Sequence, residues 1–188
     1  QIDNPDSRIT LEEGKKFPIM KEIADGLVGI QTGDYPRFGR FFWEPVLNKE
    51  WELQASAPGS TAIQSGKSYC IYWENFEGEL ARRHRLGQSF VRGFSAFGKK
   101  GVLLGQTSAL PATLYYGELF DNNVAAIIPN DESLIPAIWA YCSSHNYNDD
   151  VRRIDQKLNV TNATLVKVPF DMAHWSSTAM LEYPNGLP

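Results

Sequence analysis

The passage from Leu27 to Trp43 most constrains what this chain can fold into. Its apolar run (Leu27, Val28, Ile30) reads as a short buried strand that stops at Thr32-Gly33-Asp34. Gly33 permits a positive φ, and Asp34 can hydrogen-bond its own backbone, so the strand is expected to end in a tight polar turn. Arg37 and Arg40 follow among the aromatics Tyr35, Phe38, Phe41, Phe42 and Trp43. A strand that ends this way can hold a cationic loop rigidly against an anionic surface. The plainer alternative is a hairpin whose two arginines are simply solvated.

Other apolar runs predict further strands: Tyr69–Trp73, Gly101–Gly105 leading into Gln106-Thr107-Ser108, Ala112–Tyr116, Val124–Ile128, and a last strand over Leu165–Pro169 closed by its proline. A short helix is expected from Pro18 to Ala24, with Gly26 capping its end. Leu134, Ile138 and Cys142 recur on one helical face, with Ser133 as N-cap and Pro136 in the first turn. Asn146 to Asp150 reads as a break and Val151–Lys157 as a shorter polar helix. Asp171 is expected to cap a final helix carrying Met172, Trp175 and Ala179. Glu44–Gly66 reads as a loop anchored by Trp43 and Trp51. These elements predict an α+β fold: a twisted mixed β-sheet with packed helices, a single globular domain over residues 17–188. Residues 1–16 are polar and read as a connector from an upstream domain. The start at Gln1 suggests a fragment of a longer protein.

The net charge of −4 argues at first against a nucleic-acid partner, but its distribution matters more. Leu80 to Gly117 contains no Asp or Glu, while Arg82, Arg83, Arg85, Arg92, Lys99 and Lys100 all fall within it. Such a run predicts a continuous positive surface that attracts phosphate locally, since salt screens distant charges over about 10 Å. A solvated charge run is the alternative. Cys70 and Cys142 lack C-x-x-C spacing and sit in apolar surroundings, as inert core thiols would. No apolar run approaches the roughly 20 residues that span a bilayer, so no membrane partner is expected, and the cytoplasm is the expected location.

Gly29 to Arg40, with Trp43 close behind, resembles the G-x-x-TGD-x-x-RF-x-R signature in the DNA-recognition region of large N6-adenine DNA methyltransferases. These are the type IIG restriction–modification enzymes and the related methyltransferases of BREX-type phage defence. Leu110-Pro111 through Leu119-Phe120-Asp121 is similar to their LP…iFD segment. Lys157-Leu158-Asn159 leading to Lys167-Val168-Pro169 resembles their NLN…k-iP close, and Tyr183-Pro184-Asn185-Gly186-Leu187-Pro188 resembles the link back to the rest of such a protein. The resemblance covers most of Ala24 to Pro188. It implies a restriction–modification target-recognition domain that binds double-stranded DNA in sequence-specific fashion. A separate catalytic domain of the same parent chain would carry S-adenosylmethionine and methylate the adenine. It also implies that Thr32, Gly33, Asp34, Arg37 and Arg40 lie at or near the DNA-facing loop. Gln106, Thr107 and Ser108 end a strand that could present them beside it. The family usually has a polar residue where Pro36 stands.

The motifs that would make this chain a methyltransferase itself are missing. No G-x-G-x-x-G follows a strand, and Asn4-Pro5-Asp6 lacks the second proline and the aromatic of a base-holding motif. His84, His145 and His174 share no metal-ligand spacing, the carboxylates form no nuclease pattern, and there is no G-x-S-x-G elbow. The chain is therefore expected to be non-catalytic, with no metal or cofactor of its own. Five Trp and eight Tyr leave a carbohydrate-binding module as the rival from another class, and a protein-interaction domain as a third.

Overall fold

A computed structural model describes residues 17–46 and 48–188. The expected connector at 1–16 lies outside the described residues. Eight strands are seen among these residues: β1 (Ala24–Val28), β2 (Gly39–Phe41), β3 (Trp51–Ala55), β4 (Tyr69–Tyr72), β5 (Gly101–Gly105), β6 (Ala112–Tyr115), β7 (Leu119–Phe120) and β8 (Val124–Pro129). Six helices accompany them: α1 (Tyr35–Phe38), α2 (Glu79–Arg85), α3 (Ile135–Cys142), α4 (His145–Ile154), α5 (Asn162–Leu165) and α6 (Met172–Glu182). The fold is α+β, with two four-stranded sheets rather than the one expected.

The first sheet has the order β1-β8-β5-β6 and is antiparallel throughout. The inner strands β8 and β5 and the edge strand β6 are buried along their whole length, which is why they read as apolar runs. Val102, Leu104, Leu114, Ala125 and Ile127 face a helical layer that contributes Ile138, Trp139, Tyr141 and Trp175. Leu103, Tyr115, Ala126 and Ile128 point the other way, onto Ala55, Ala96 and Phe120. The second sheet runs β2-β4-β3-β7, with β3 and β7 parallel and the other pairs antiparallel. With α1 and α2 it encloses a smaller core of Ile30, Phe38, Ile71, Leu80, Val91 and Leu119.

Several elements differ from expectation for identifiable reasons. The helix expected over Pro18–Ala24 is a single 3₁₀ turn, Met20–Glu22, because the chain enters β1 at Ala24 and pairs with Pro129. Gly26 therefore lies inside a strand. A Cβ there would come within 2.5 Å of the Asn162 carbonyl oxygen, and Asn162 Nδ2 donates to the Gly26 carbonyl at 2.6 Å. This glycine marks the close approach of α5, not the end of a helix. β3 lies within the expected loop. The break expected at Asn146–Asp150 is inside α4, which buries Tyr147 and Val151 on one face. Asp131, not Ser133, provides the cap before α3, accepting from the Ser133 N–H at 2.9 Å at the start of a 3₁₀ turn. Leu165–Pro169 is no strand: α5 occupies its start, and only the bridge between Ile19 and Pro169 remains. α6 begins as expected, with the Asp171 carboxylate accepting from the His174 N–H at 3.0 Å. No helix among the described residues is long and apolar enough to cross a membrane.

Candidate functional site

The Thr32-Gly33-Asp34 turn forms where expected and is stapled on two sides. Gln31 and Phe90 exchange backbone hydrogen bonds of 2.9 and 2.8 Å, and the buried Ser89 hydroxyl donates to the Thr32 carbonyl at 2.5 Å. On the other side Ile30 N–H donates to the Phe120 carbonyl at 2.8 Å, and Asn122 N–H to the Ile30 carbonyl at 3.0 Å. Thr32 is only 5% exposed, and its hydroxyl oxygen accepts from the Asp34 N–H at 3.3 Å. It positions the turn rather than lining a surface.

Beyond the turn, α1 is one turn long. Pro36 sits in its first turn, where its missing N–H has no intrahelical role, and fully buried Phe38 ties it to the smaller core. The exposed Arg37 reaches Glu79 at 3.3 Å. Arg82 meets the same carboxylate with two bonds, Nε at 2.6 Å and Nη2 at 2.8 Å. The hydrogen bonds from Arg82, and the charges of Arg82, Arg37 and Arg83, hold the Glu79 carboxyl below its ordinary value. The guanidinium of Arg83 stands 5.9 Å from the centroid of the Phe38 ring, with its Nε buried and unpartnered. Arg40 is not a freely solvated side chain. Its Nη1 donates to the carbonyls of Pro36 and Gly39 at 2.5 and 2.6 Å, clamping the corner between α1 and β2. Arg92 lies over Phe90 and donates to the Gln31 amide oxygen at 3.4 Å. Arg85 is exposed at the end of α2.

The first sheet decides which remaining residues meet. Val28 pairs with Ala125 and Val124 with Gly105, so the end of β1, the start of β8 and the end of β5 share one rim. These strand ends lie within two strand spacings, about 10 Å; the Thr32–Asp34 turn follows β1, Asn122–Asn123 precede β8 and Gln106–Ser108 follow β5. A cleft of about 280 Å³ runs between Ile30–Tyr35 and Asp121–Asn123. Asp121 organises its far wall, accepting from Ser56 Oγ at 2.6 Å and from Asn123 N and Nδ2 at 2.9 and 3.0 Å. Burial, then the neighbouring Asp121 charge, pushes the Tyr35 hydroxyl up to about 12, so it is a neutral donor near neutral pH. Gln106 is 7% exposed, and its carbonyl accepts from Val160 N–H at 2.9 Å. Its side chain is therefore not on the surface expected of it. Thr107 and Ser108 are exposed at the tip, and Arg152 Nη2 fixes the Ser108 carbonyl at 2.8 Å.

Of the six cations expected to form a continuous positive surface, three have acidic neighbours: Arg82 pairs with Glu79, and Lys99 and Lys100 share a cleft with Asp25 and Glu132. Lys99 and Lys100 precede β5, roughly 20 Å along the strand from Gln106–Ser108. There they line a separate cleft with Asp25 and Glu132. Arg82 is neutralised by Glu79, one residue outside the acid-free stretch. That stretch is acid-free along the chain but not in space. Sequence reasoning also missed Tyr35, Asn122 and Asn123 as cleft residues. Asn122 and Asn123 were visible as turn residues, but their place opposite Thr32–Asp34 depends on the bridge between Ile30 and Asp121. Among the described residues no cluster of three or more His, Cys, Asp or Glu could hold a metal ion.

No protein-family model matches the chain, and no curated protein matches it by sequence.

Proposed function

We propose that this chain is a DNA target-recognition module, positioning double-stranded DNA for N6-adenine methylation by a catalytic domain elsewhere in its parent chain. The resemblance of Gly29–Arg40 to that family supplies the class. The observation that carries it further is the cleft between the stapled turn and Asn122–Asn123, with Arg37 on α1 just beyond the turn and Arg83 of α2 close to Gly33. Asn and Gln amides can pair with adenine N6 and N7 in the major groove, and arginines supply phosphate contacts that fix register. On this reading Asn122, Asn123, Thr107 and Ser108 face base edges. Arg37, Arg82, Arg83, Arg85 and Arg92 border the backbone, and Thr32 and Gly33 hold the turn. Lys99 and Lys100 are remote from this interface. S-adenosylmethionine belongs to the parent's catalytic domain, and the work is done in the cytoplasm as part of a restriction or phage-defence system.

A salt titration of DNA affinity by fluorescence anisotropy tests the reading. Each phosphate contact steepens the slope of log K against log salt by about 0.9. A slope equivalent to several contacts is expected. Absence of binding at low salt, or binding insensitive to salt, would overturn it.

A further inference from the structure

Three arginines gather around one carboxylate where α1 meets α2, and only two of them are paired. Glu79 takes Arg82 through two hydrogen bonds and Arg37 at 3.3 Å. Arg83 acts on Glu79 through its charge alone. Among the described residues no salt bridge or hydrogen bond engages its guanidinium, and its Nε is buried without a partner. A donor desolvated in this way costs stability and gains nothing within the protein. The burial stops at Nε: the side chain as a whole is half-buried, so the end of the fork meets solvent. The fork is also held in place. Its Cζ stands over the ring of fully buried Phe38, 5.9 Å from the centroid, and Arg37 stands 5.5 Å from the same centroid. Nη2 lies against the turn, since a Cβ on the exposed Gly33 would be 3.9 Å from it. The Gln88 N–H donates to the Arg83 carbonyl at 2.9 Å, and the Gln88 carbonyl presses on the same glycine.

We propose that Arg83 and the exposed Gly33 edge of the turn form a seat for one phosphate of the DNA backbone, with the Nη groups of Arg83 as its donors. The inference deepens the DNA-recognition reading above and rests on it. An unpaired guanidinium gains from an incoming anion what the fold does not supply, and its planar end meets an oxyanion with two parallel N–H bonds. Contact with the Phe38 ring fixes the plane of the fork, so little conformational freedom is lost when the anion arrives. Glu79 is already committed to Arg82 and Arg37, and Asp34, the carboxylate beside Gly33, makes no salt bridge with Arg83. Three arginines thus outnumber the two carboxylates of this surface. That excess suits a backbone of repeated negative charge, and a glycine without a side chain lets such a backbone approach closely. Gly33 also lines the cleft that faces Asn122–Asn123. A phosphate seated here therefore sets the register of the strand along that cleft.

The test uses the 188-residue chain, with Arg83→Gln and Arg83→Lys checked for folding by circular dichroism. Anisotropy with short duplexes of unrelated sequence is measured over a range of salt. Arg83→Gln should weaken every duplex alike, by at least about tenfold at low salt, and flatten the slope of log K against log salt by about 0.9. Arg83→Lys should keep the slope and recover only part of the affinity. Lys100→Ala, remote from the turn, should change neither. In wild type the Nε–H resonance of Arg83, assigned by its absence from the Arg83→Lys spectrum, should shift when duplex is added. Unchanged affinity and slope in Arg83→Gln, or a resonance that duplex leaves in place, would overturn the seat, while salt-dependent binding by wild type would leave the recognition reading intact. An equal loss in Lys100→Ala would reveal a bulk charge effect and overturn the seat as well. A loss confined to one sequence, with the slope unchanged, would overturn it in favour of a base contact. An acidic peptide that shifts the Arg83 resonance where duplex does not would overturn it in favour of a carboxylate partner. No salt-dependent binding of any duplex by wild type would overturn both readings.

Discussion

Gly33 and Gln88 meet backbone to backbone: a Cβ on Gly33 would lie 2.3 Å from the Gln88 carbonyl oxygen. The Gly33 φ of +71° adds a conformation that side chains resist. Gly33→Ala is therefore expected to destabilise the protein by about 1–3 kcal/mol, and Gly33→Val by more, because a β-branched residue is a genuine outlier there. Urea unfolding measures both. A Gly33→Ala variant as stable as wild type would mean that the turn is not held against Gln88.

Glu79 holds two arginines away from any other partner. Glu79→Gln removes the charge that Arg37 and Arg82 share, so DNA affinity at low salt should rise. The salt slope should steepen by up to about two units if both cations then reach phosphate. Acid should act in the same direction. The folded-state value of Glu79 is lowered, so its contribution to stability is complete above the ordinary glutamate range. That contribution is lost as pH falls through the lowered value. Anisotropy titrations of the variant at several salt concentrations decide it, and an unchanged slope would count against a phosphate role for this pair.

Arg40 links the two halves of the α1–β2 corner through backbone carbonyls. Arg40→Ala is expected to cost about 1–3 kcal/mol, the usual range for hydrogen bonds from a charged donor. It should also weaken DNA binding. Arg40→Lys should restore charge without the planar fork that reaches both carbonyls, recovering part of the binding and less of the stability. Chemical denaturation and anisotropy on the same variants separate the two effects. Full stability in Arg40→Ala would show that the clamp is dispensable.

The Tyr35 hydroxyl predicts an alkaline signature. An unperturbed tyrosine ionises near 10, whereas Tyr35 is pushed up to about 12, and burial raises Tyr115, Tyr141 and Tyr147 as well. The fold favours the protonated phenols, so their contribution to stability is whole below about 10. It falls as the unfolded chain begins to lose these protons. Phenolate absorbance should therefore show an early exposed class and a late class, and Tyr35→Phe should remove the component near 12. A single transition near 10 would contradict the burial of Tyr115, Tyr141 and Tyr147.

The apolar runs of β4, β5, β6 and β8 were legible because buried strands show themselves as continuous hydrophobic stretches. β1 was obscured by Asp25 and Gly26, since the glycine answers to a helix that approaches from more than a hundred residues downstream. α4 was obscured by its polarity: only Tyr147, Val151 and the half-buried Ile154 mark its inner face. In the candidate site, the turn could be read from Thr32-Gly33-Asp34 because turn chemistry is local. The neutralisation of Arg37 by Glu79 and the approach of Asn122–Asn123 could not, because both depend on chain segments meeting across the two sheets.

The pairing of β1 with β8 also bears on how the molecule assembles. Ala24 must wait for Pro129 before its strand has a partner, whereas β3 and β4 lie within one short stretch of chain. Loop closure of that span has to be achieved before β1 gains any ladder contact. During synthesis the smaller sheet can form its β2–β4–β3 ladder first, leaving Leu27 and Val28 as an unpaired apolar edge until the ribosome has delivered Val124–Pro129. The Thr32–Asp34 turn, fastened to the far end of that edge, is then among the last parts of the protein to take its working shape.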